Sequence, residues 1–305
     1  MSNKRLIPLL LLTIFLTISV IPFTLAEQDK EVKVGVYLLN LGKYEVATGS
    51  FTVDFYLSLK CNYNCSPENF EFMNGRASSV DLMENKPSEK FYRIQANLNS
   101  KVDLKKFPFD KQEINIILED KENTNAHIKY IPNIEESGID PSITFTGWNI
   151  DGWRAEERDH NYPIYNETYS QYTFTIDLSR ILINSFLKTI LPVFFILLTV
   201  LFSFIIDPDK VTTRLSMSGS SLVAAVMFHV SISNQIPPVS YLTFSDKFLG
   251  LTYLVLLLSF IINISLIELQ ERKNHELLMK IHRLTEFSML IIVPLLYLAL
   301  FLLFL

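Results

Sequence analysis

The sequence predicts two fold classes in one chain: an all-β extracellular sandwich followed by an all-α transmembrane domain of four helices. After residue 180, three stretches each hold 18 to 20 residues without Asp, Glu, Lys or Arg, namely Thr189–Ile206, Phe248–Ile267 and Phe287–Leu305. About 20 apolar residues span a bilayer as a helix. Residues 27–180 instead show short runs in which apolar and polar residues alternate, as in half-buried strands.

The first 26 residues have the order of a signal peptide. Lys4 and Arg5 precede an apolar run, Leu6–Val20, and Thr-Leu-Ala at 24–26 offers a small-residue cleavage site. We therefore expect residues 1–26 to be a signal peptide and the mature chain to begin outside the cytosol.

Residues 27–180 form the predicted sandwich domain. Its alternating runs are rich in Val, Ile, Phe, Tyr and Thr, and Pro and Asn mark the joints between them. No long segment repeats its apolar residues with a period of 3.6, which argues against an α/β domain. The runs are Val32–Leu39, Phe51–Leu59, Phe91–Leu98, Gln112–Leu118 and Tyr172–Leu178.

Two cysteines, Cys61 and Cys65, lie in this exported domain, where a disulfide persists. We expect them to be bonded to each other, although so short a loop adds little stability. Structural zinc takes four ligands, and no partnering His or Cys pair is evident, so we expect neither a metal nor a cofactor.

The composition argues against two other classes of protein. The net charge of −5 is spread along the chain, and no basic tract predicts a nucleic-acid partner. The five histidines form no ligand-spaced cluster, and neither a Gly-x-Ser-x-Gly segment nor paired carboxylates stand out. An exported enzyme on a membrane anchor is therefore poorly supported.

The transmembrane domain is predicted at residues 181–305, with helices at about 184–206, 210–234, 245–269 and 284–305 and a linker at 270–283. The segment Glu268–Arg283 between the last two helices holds four cations, whereas Asn234–Lys247, from the end of the second helix to the start of the third, holds only Lys247. Cytosolic loops carry the excess of Lys and Arg. We expect a multi-pass protein of the cell (plasma) membrane, with the linker inside and the N-terminal domain and the C-terminus outside.

One face of the second helix is unlike a lipid-facing surface. On a helix its residues lie along one stripe, with hydroxyls at the cytosolic end and apolar side chains in the middle. Small hydroxyls replace part of an ion's hydration shell, and an apolar ring gates by dewetting. The alternative is that Ser and Gly here only allow close helix packing. The stripe consists of Thr212, Ser216, Ser220, Val223, Met227, Val230 and Asn234.

Four marks occur together around this stripe. They are Phe-Pro-Phe-Asp at 107–110, Pro192 in the first helix, the hydroxyl-rich segment after Arg214, and the Pro-Tyr loop at 237–241. In these marks the chain resembles the pentameric ligand-gated ion channels, the relatives of nicotinic, glycine and GABA receptors, and especially their prokaryotic members. The resemblance runs over about 270 residues, from Val34 to the C-terminus.

The resemblance implies a homopentamer in the lipid bilayer that senses a small-molecule ligand or protons and passes inorganic ions through a pore lined by the second helix. It also implies that the loop Gly42–Thr48, the Phe-Pro-Phe-Asp turn and the strand-to-helix joint press on the Pro-Tyr loop. The coupling residues would be Glu45, Phe109, Asp110, Arg180, Pro237 and Tyr241. Asp110 and Arg180 can form a partly buried pair, with Glu45 as a possible third member. Alternatively, Asp110 caps a turn and Arg180 meets lipid headgroups.

The ligand site is less well marked because the Trp-x-Pro sequence of the family's agonist pocket is missing from Cys61–Asn74. A cation–π surface made by Trp148, Tyr162, Tyr165 and Tyr169 is one reading, and cross-strand packing of these rings is the other. Negative rings from Asp207 and Asp209 at the cytosolic mouth would bear on ion choice.

Two further alternatives concern single features of the membrane domain. His229 in the second helix is expected to make an interhelical hydrogen bond rather than to sense protons. A non-conducting membrane receptor or binding protein on the same scaffold is the alternative function, which the polar stripe argues against.

Overall fold

The structure, a computed structural model, describes residues 30–61 and 69–304. The expected signal peptide and Cys65 lie outside the described residues, and Cys61 is disulfide-bonded. The N-terminal part of the chain folds as two β-sheets. The larger sheet has the order β4-β5-β2-β1-β7, with β8 paired to β1. Its strands are β1 (Lys30–Glu45), β2 (Ser50–Cys61), β4 (Gly75–Lys86), β5 (Glu89–Asn99), β7 (Ile128–Pro132) and β8 (Gly138–Ile139).

The second sheet has four strands in the order β3-β6-β10-β9. Its long β9–β10 hairpin runs the length of the sandwich: Trp148 pairs with Arg180 at one end and Tyr162 with Glu167 at the other. The strands are β3 (Phe70–Phe72), β6 (Lys111–Asp120), β9 (Trp148–Tyr162) and β10 (Glu167–Arg180).

The core lies between the sheets and follows from period-two alternation. Every second residue of β1 from Val32 to Leu38 is at most 1% exposed, and so is every second residue of β10 from Tyr172 to Leu178. Burying these large side chains stabilises the sandwich by about 25 cal/mol per Å² of apolar surface. The predicted all-β sandwich is confirmed.

Four helices follow, each long and apolar enough to cross a membrane. They are α1 (Leu182–Ile205), α2 (Val211–Ser233), α3 (Phe244–Glu271) and α4 (His275–Phe304). The predicted four-helix domain is also confirmed. α1 contains a π-helical turn at Phe186–Ile190 just before Pro192, which has no N–H to give to the preceding turn.

A capping box begins α3 and fixes where the α2–α3 loop ends. Thr243 accepts a hydrogen bond at Oγ1 from the backbone of Asp246, and the Asp246 carboxylate accepts one from the Thr243 backbone. The buried apolar cluster of the helices also includes Leu104 and Phe107, which precede β6. One end of the sandwich is therefore packed into the helix bundle.

Candidate functional site

The first part of the site is an ion pair where the sandwich meets the helices. Arg180 ends β10, and its Nε lies 2.6 Å from Oδ1 of Asp110 in the turn before β6. The side chain of Asp110 is 1% exposed and that of Arg180 is 20% exposed. Gln112 donates from Nε2 to the other carboxylate oxygen at 2.6 Å and to the carbonyl of Asp103 at 2.7 Å. Both oxygens of the buried carboxylate are bonded, which offsets the cost of burying the charge.

Aromatic rings enclose the guanidinium of Arg180. Its central carbon lies 4.4 Å from the ring centre of Trp148 and 5.0 Å from that of Phe107. Tyr44 of β1 packs edge-on against Trp148, with 5.8 Å between the ring centroids. Burial, helped by the charge of Asp110, raises the pKa of Tyr44 to about 12. These cation–π and edge contacts hold the Arg180 side chain beside Asp110.

The structure separates Trp148 from the three tyrosines with which the sequence analysis grouped it. Trp148 is buried at the junction, whereas Tyr162, Tyr165 and Tyr169 lie at the far end of the same hairpin. The 14 residues from Trp148 to Tyr162 along β9 span roughly 45 Å at about 3.3 Å per residue. Trp148 therefore lies beside Arg180 at the junction, and one subunit does not bring the four rings together.

Hydrogen bonds tie the Phe-Pro-Phe-Asp turn to the start of α3. The backbone N–H of Phe244 donates to the carbonyl of Lys105 at 2.8 Å. Ser245 donates to the carbonyl of Phe107 from both its backbone N–H and its hydroxyl, each at 3.1 Å. These bonds replace water at backbone groups in the junction and link the turn directly to the end of the helix.

The α2–α3 loop also contacts the sandwich. The hydroxyl of Tyr241 accepts a hydrogen bond from the backbone of Leu104 at 2.9 Å. The ring of Phe109 lies edge-on to Phe244, 5.9 Å between centroids. Pro237 lies in the same loop and is partly exposed. The structure thus brings five predicted coupling residues, Phe109, Asp110, Arg180, Pro237 and Tyr241, to one end of the sandwich and its adjoining loop.

Glu45 is the exception among the predicted coupling residues. It is exposed, and its carboxylate accepts a hydrogen bond from the hydroxyl of Thr48 at 3.3 Å. Within the described residues, the ion pair of Arg180 is with Asp110 and does not include Glu45. The turn is tight because Gly49 has φ of 73°, and a Cβ there would lie 2.0 Å from the carbonyl oxygen of Ser100. Glu45 therefore contacts Thr48 within its own turn and is not part of the Asp110–Arg180 pair in the structure.

The second part of the site is the polar stripe of α2. All seven predicted pore residues are exposed in the subunit: Thr212, Ser216, Ser220, Val223, Met227, Val230 and Asn234. Val223 is 60% exposed and Met227 is 70% exposed, although both are large and apolar. The three other helices leave this stripe uncovered.

The opposite face of α2 packs inside the bundle. Its buried residues are Arg214, Ser218, Ser221, Ala225 and Ile232. The guanidinium of Arg214 lies 5.6 Å from the ring centre of Phe204 on α1, so this cation faces away from the stripe. Asn263 of α3 donates to the hydroxyl of Ser218 at 2.8 Å. The helix therefore presents two chemically distinct faces.

The expected interhelical hydrogen bond of His229 is confirmed. Its Nδ1 lies 2.9 Å from the hydroxyl of Tyr253 on α3, and the same hydroxyl donates to the carbonyl of Ala225 at 3.4 Å. His229 is thereby fixed against a neighbouring helix rather than on the stripe.

The third part of the site is a recess of about 270 Å³ at the outer end of the β9–β10 hairpin. Three tyrosines line it, Tyr162, Tyr165 and Tyr169, together with the carboxylates Glu71, Glu119, Asp120 and Glu167 and one cation, Lys121. The ring of Tyr162 packs edge-on against that of Tyr169 at 5.6 Å. Aromatic faces with an excess of negative charge favour a small cation.

Glu119 at the base of this recess was not predicted from the sequence. Its side chain is 2% exposed and accepts from Gln171 at 2.5 Å and from the Tyr162 hydroxyl at 3.0 Å, and Nδ1 of His160 lies 2.5 Å away. Burial and the hydrogen bond to Glu119 raise the pKa of Tyr162 to about 12. The sequence does not mark this residue, because Glu119 and Asp120 follow an apolar run as two surface carboxylates would, yet both are buried.

Comparisons with known proteins agree with these features. No family model matches the chain. It is 22% identical to a protein of Gloeobacter violaceus described as a proton-gated ion channel, over 76% of this chain and 72% of that protein. It is 22% identical to ligand-gated ion channel 50 of Caenorhabditis elegans, over 61% of this chain and 38% of that protein. It is 23% identical to pH-sensitive chloride channel 2 of Drosophila melanogaster, over 62% of this chain and 37% of that protein.

The chain thus spans less than two fifths of these two animal proteins and nearly three quarters of the bacterial one. The fold, the uncovered helix face and these relatives define a multi-pass membrane protein of the ligand-gated channel class rather than an enzyme. These relatives support the resemblance to the pentameric ligand-gated ion channels that the sequence predicts.

Proposed function

We propose that the chain is the subunit of a homopentameric channel in which α2 lines the pore. The uncovered stripe of α2 carries the proposal, because a membrane helix with apolar neighbours has no use for exposed hydroxyls unless they face water. One amphipathic helix encloses a channel only as part of a closed ring of copies. In such a ring, Ser216 and Ser220 form the narrow cytosolic neck and Val223 forms an apolar gate above them.

Gating runs from the sandwich to the pore through the junction. A shift of the β9–β10 hairpin moves Arg180, which ends β10 and leads directly into α1. The same shift acts on Asp110, and the Phe-Pro-Phe-Asp turn passes it to the α2–α3 loop through Tyr241 and Phe244. The junction between the two domains thereby has two states, closed and open, and ligand binding shifts the equilibrium between them.

The activating signal in this proposal is a small cationic ligand or protons, sensed in the recess beneath the hairpin tip. The tyrosines supply cation–π faces and Glu119 supplies a buried negative charge. The contact between His160 and Glu119 makes the same recess a candidate proton sensor. The printed names of two relatives, proton-gated and pH-sensitive, support protons.

We propose the membrane orientation that the sequence predicts. Residues 1–26 serve as a signal peptide, 27–180 lie outside the plasma membrane, and 181–305 form the membrane domain. The linker at 270–283 lies in the cytosol and the C-terminus outside, as the cations of the linker support.

Assembly is the first test of this proposal. The protein solubilised in mild detergents is expected to run near five times 35.2 kDa after correction for bound detergent, and slightly below that value once the signal peptide is removed. Native mass spectrometry gives the subunit count. A stable monomer or dimer in several mild detergents would contradict the closed ring.

Removing the charge at the base of the recess tests the ligand site. Glu119→Gln keeps the size of the side chain but removes its charge, and hydrogen bonds to a charged group contribute about 1.5–3 kcal/mol. We expect the activator concentration for half-maximal current to rise roughly tenfold or more. The matched control is Glu113→Gln on the same strand, whose exposed carboxylate pairs with Arg154. Equal responses of Glu119→Gln and wild type to both acid and small amines would remove the recess from the proposal.

A further inference from the structure

The tip of the β9–β10 hairpin carries the acceptor sequence for an N-linked glycan. Asn166-Glu167-Thr168 has the order Asn-x-Thr, and the middle residue is not Pro. Asn166 is exposed and has φ of 54°, so it occupies the left-handed position of the turn between the two strands. Within the described residues, neither the side-chain amide of Asn166 nor the hydroxyl of Thr168 makes a hydrogen bond. Both groups that the modification requires are therefore free.

The chain contains two other sequences of this order, and neither has the same surroundings. Asn263-Ile264-Ser265 lies within α3, where Asn263 is 2% exposed and bonded to Ser218. Asn64-Cys65-Ser66 lies outside the described residues and contains a cysteine. Asn166 alone of the described candidates combines exposure with a place in the sandwich domain.

The residues before Asn166 supply a second, independent observation. Ile164 is 91% exposed and Tyr165 is 71% exposed, so the hairpin tip presents two large apolar side chains to solvent. Uncovered apolar side chains at an exposed tip favour association with other surfaces. The C–H face of a sugar packs on an aromatic ring, and Tyr165 directly precedes Asn166. A glycan on Asn166 has an apolar surface beside it to cover.

We propose that Asn166 is a site of N-linked glycosylation and that the glycan packs over Tyr165 at the mouth of the recess. In the reaction, the amide nitrogen of Asn166 forms a bond to C1 of the first sugar of a lipid-linked oligosaccharide diphosphate. The bond from C1 to the diphosphate oxygen breaks, the lipid diphosphate leaves, and the amide loses one proton. The placement outside the membrane rests on the proposed function, because only an exported hairpin meets the glycosylation machinery.

The test is to express the full chain in a secretory host that attaches N-glycans and to map peptides of the membrane-inserted protein. Release of the glycan by an amidase converts a modified asparagine to aspartate, which marks the site. We expect the mark at Asn166 and not at Asn263, its loss in Thr168→Ala, and its retention in Thr168→Ser. Unmodified Asn166 in assembled protein, while a co-expressed secreted glycoprotein is modified, would overturn the proposal.

Resistance to proteolysis at the hairpin tip distinguishes a glycan that packs on Tyr165 from one that is only attached to Asn166. The glycosylated protein is expected to resist proteolysis at the hairpin tip more than the enzymatically deglycosylated protein, and Tyr165→Ser is expected to remove this difference. Equal cleavage rates with and without the glycan would overturn the packing. These measurements do not depend on ion conduction, so a negative result would count against the glycan proposal and not against the channel proposal.

Discussion

Replacing Asp110 by Ala is expected to weaken channel opening strongly while leaving folding and assembly largely intact. The substitution leaves Arg180 without its carboxylate partner between Trp148 and Phe107. Removing one partner of a buried pair costs about 3 kcal/mol or more. Because the pair lies between the two domains, this cost falls on the balance between closed and open states, where it corresponds to roughly a hundredfold change.

Three variants make this expectation specific to the junction. Arg180→Ala should act in the same direction as Asp110→Ala, and the double variant should recover part of the loss because no unpaired charge remains. Glu156→Ala is the control, since it breaks a pair with Arg158 in which both side chains are about half exposed, and such pairs contribute little. Concentration–response curves in liposome flux assays give the measurement. If both single variants respond like wild type, the pair does not couple the domains.

Most of the fold was predictable because a strand or helix that buries one face has apolar residues at regular intervals in its sequence. In β1 and β10, apolar residues recur at every second position over Val32–Leu38 and Tyr172–Leu178, since these residues face the core. β4 and β9 were not predicted, because they carry polar residues on both faces and bury little within the subunit. Val80, Leu82 and Met83 of β4 are each about half exposed. Strands without a buried face carry no alternation signal.

The site was predictable where the family resemblance marks it and not where it depends on register. Asp110 and Arg180 are 70 residues apart, and the resemblance implied both through the Phe-Pro-Phe-Asp turn and the strand-to-helix joint. The position of Trp148 was not predicted, because only the β9–β10 register shows that it lies opposite Arg180. Glu119 and His160 meet from two strands that are distant in sequence, and the sequence does not specify which residues face each other there.

Replacing Val223 by Ser is expected to raise the resting current of the channel. Val223 lies in the middle of the stripe, two helical turns from Ser216, and is 60% exposed in the subunit. Five copies would face one another across the axis as an apolar ring, from which water and ions withdraw when it is narrow. A hydroxyl at this position makes the ring wettable, so the conducting state gains relative to the closed state.

Two further substitutions on α2 serve as controls. Ala224→Ser adds a hydroxyl one residue further on, about 100° around the helix from Val223. We expect it to leave the resting current near the wild-type value. Ser216→Ala changes the cytosolic neck instead, and we expect altered conductance or ion selectivity with little change in resting current. The three variants together distinguish a wettable gate from a general loosening of the helix.

The central claim, that the α2 stripe lines an ion-conducting pore, is tested most directly by planar-bilayer recording of purified wild type, Val223→Ser, Ala224→Ser and Ser216→Ala under a salt gradient. The account predicts activator-dependent current in wild type, a raised resting current only in Val223→Ser, and a changed conductance or reversal potential in Ser216→Ala. Silence of all four proteins across a broad range of pH and small amines would contradict it and would favour a non-conducting receptor on the same scaffold.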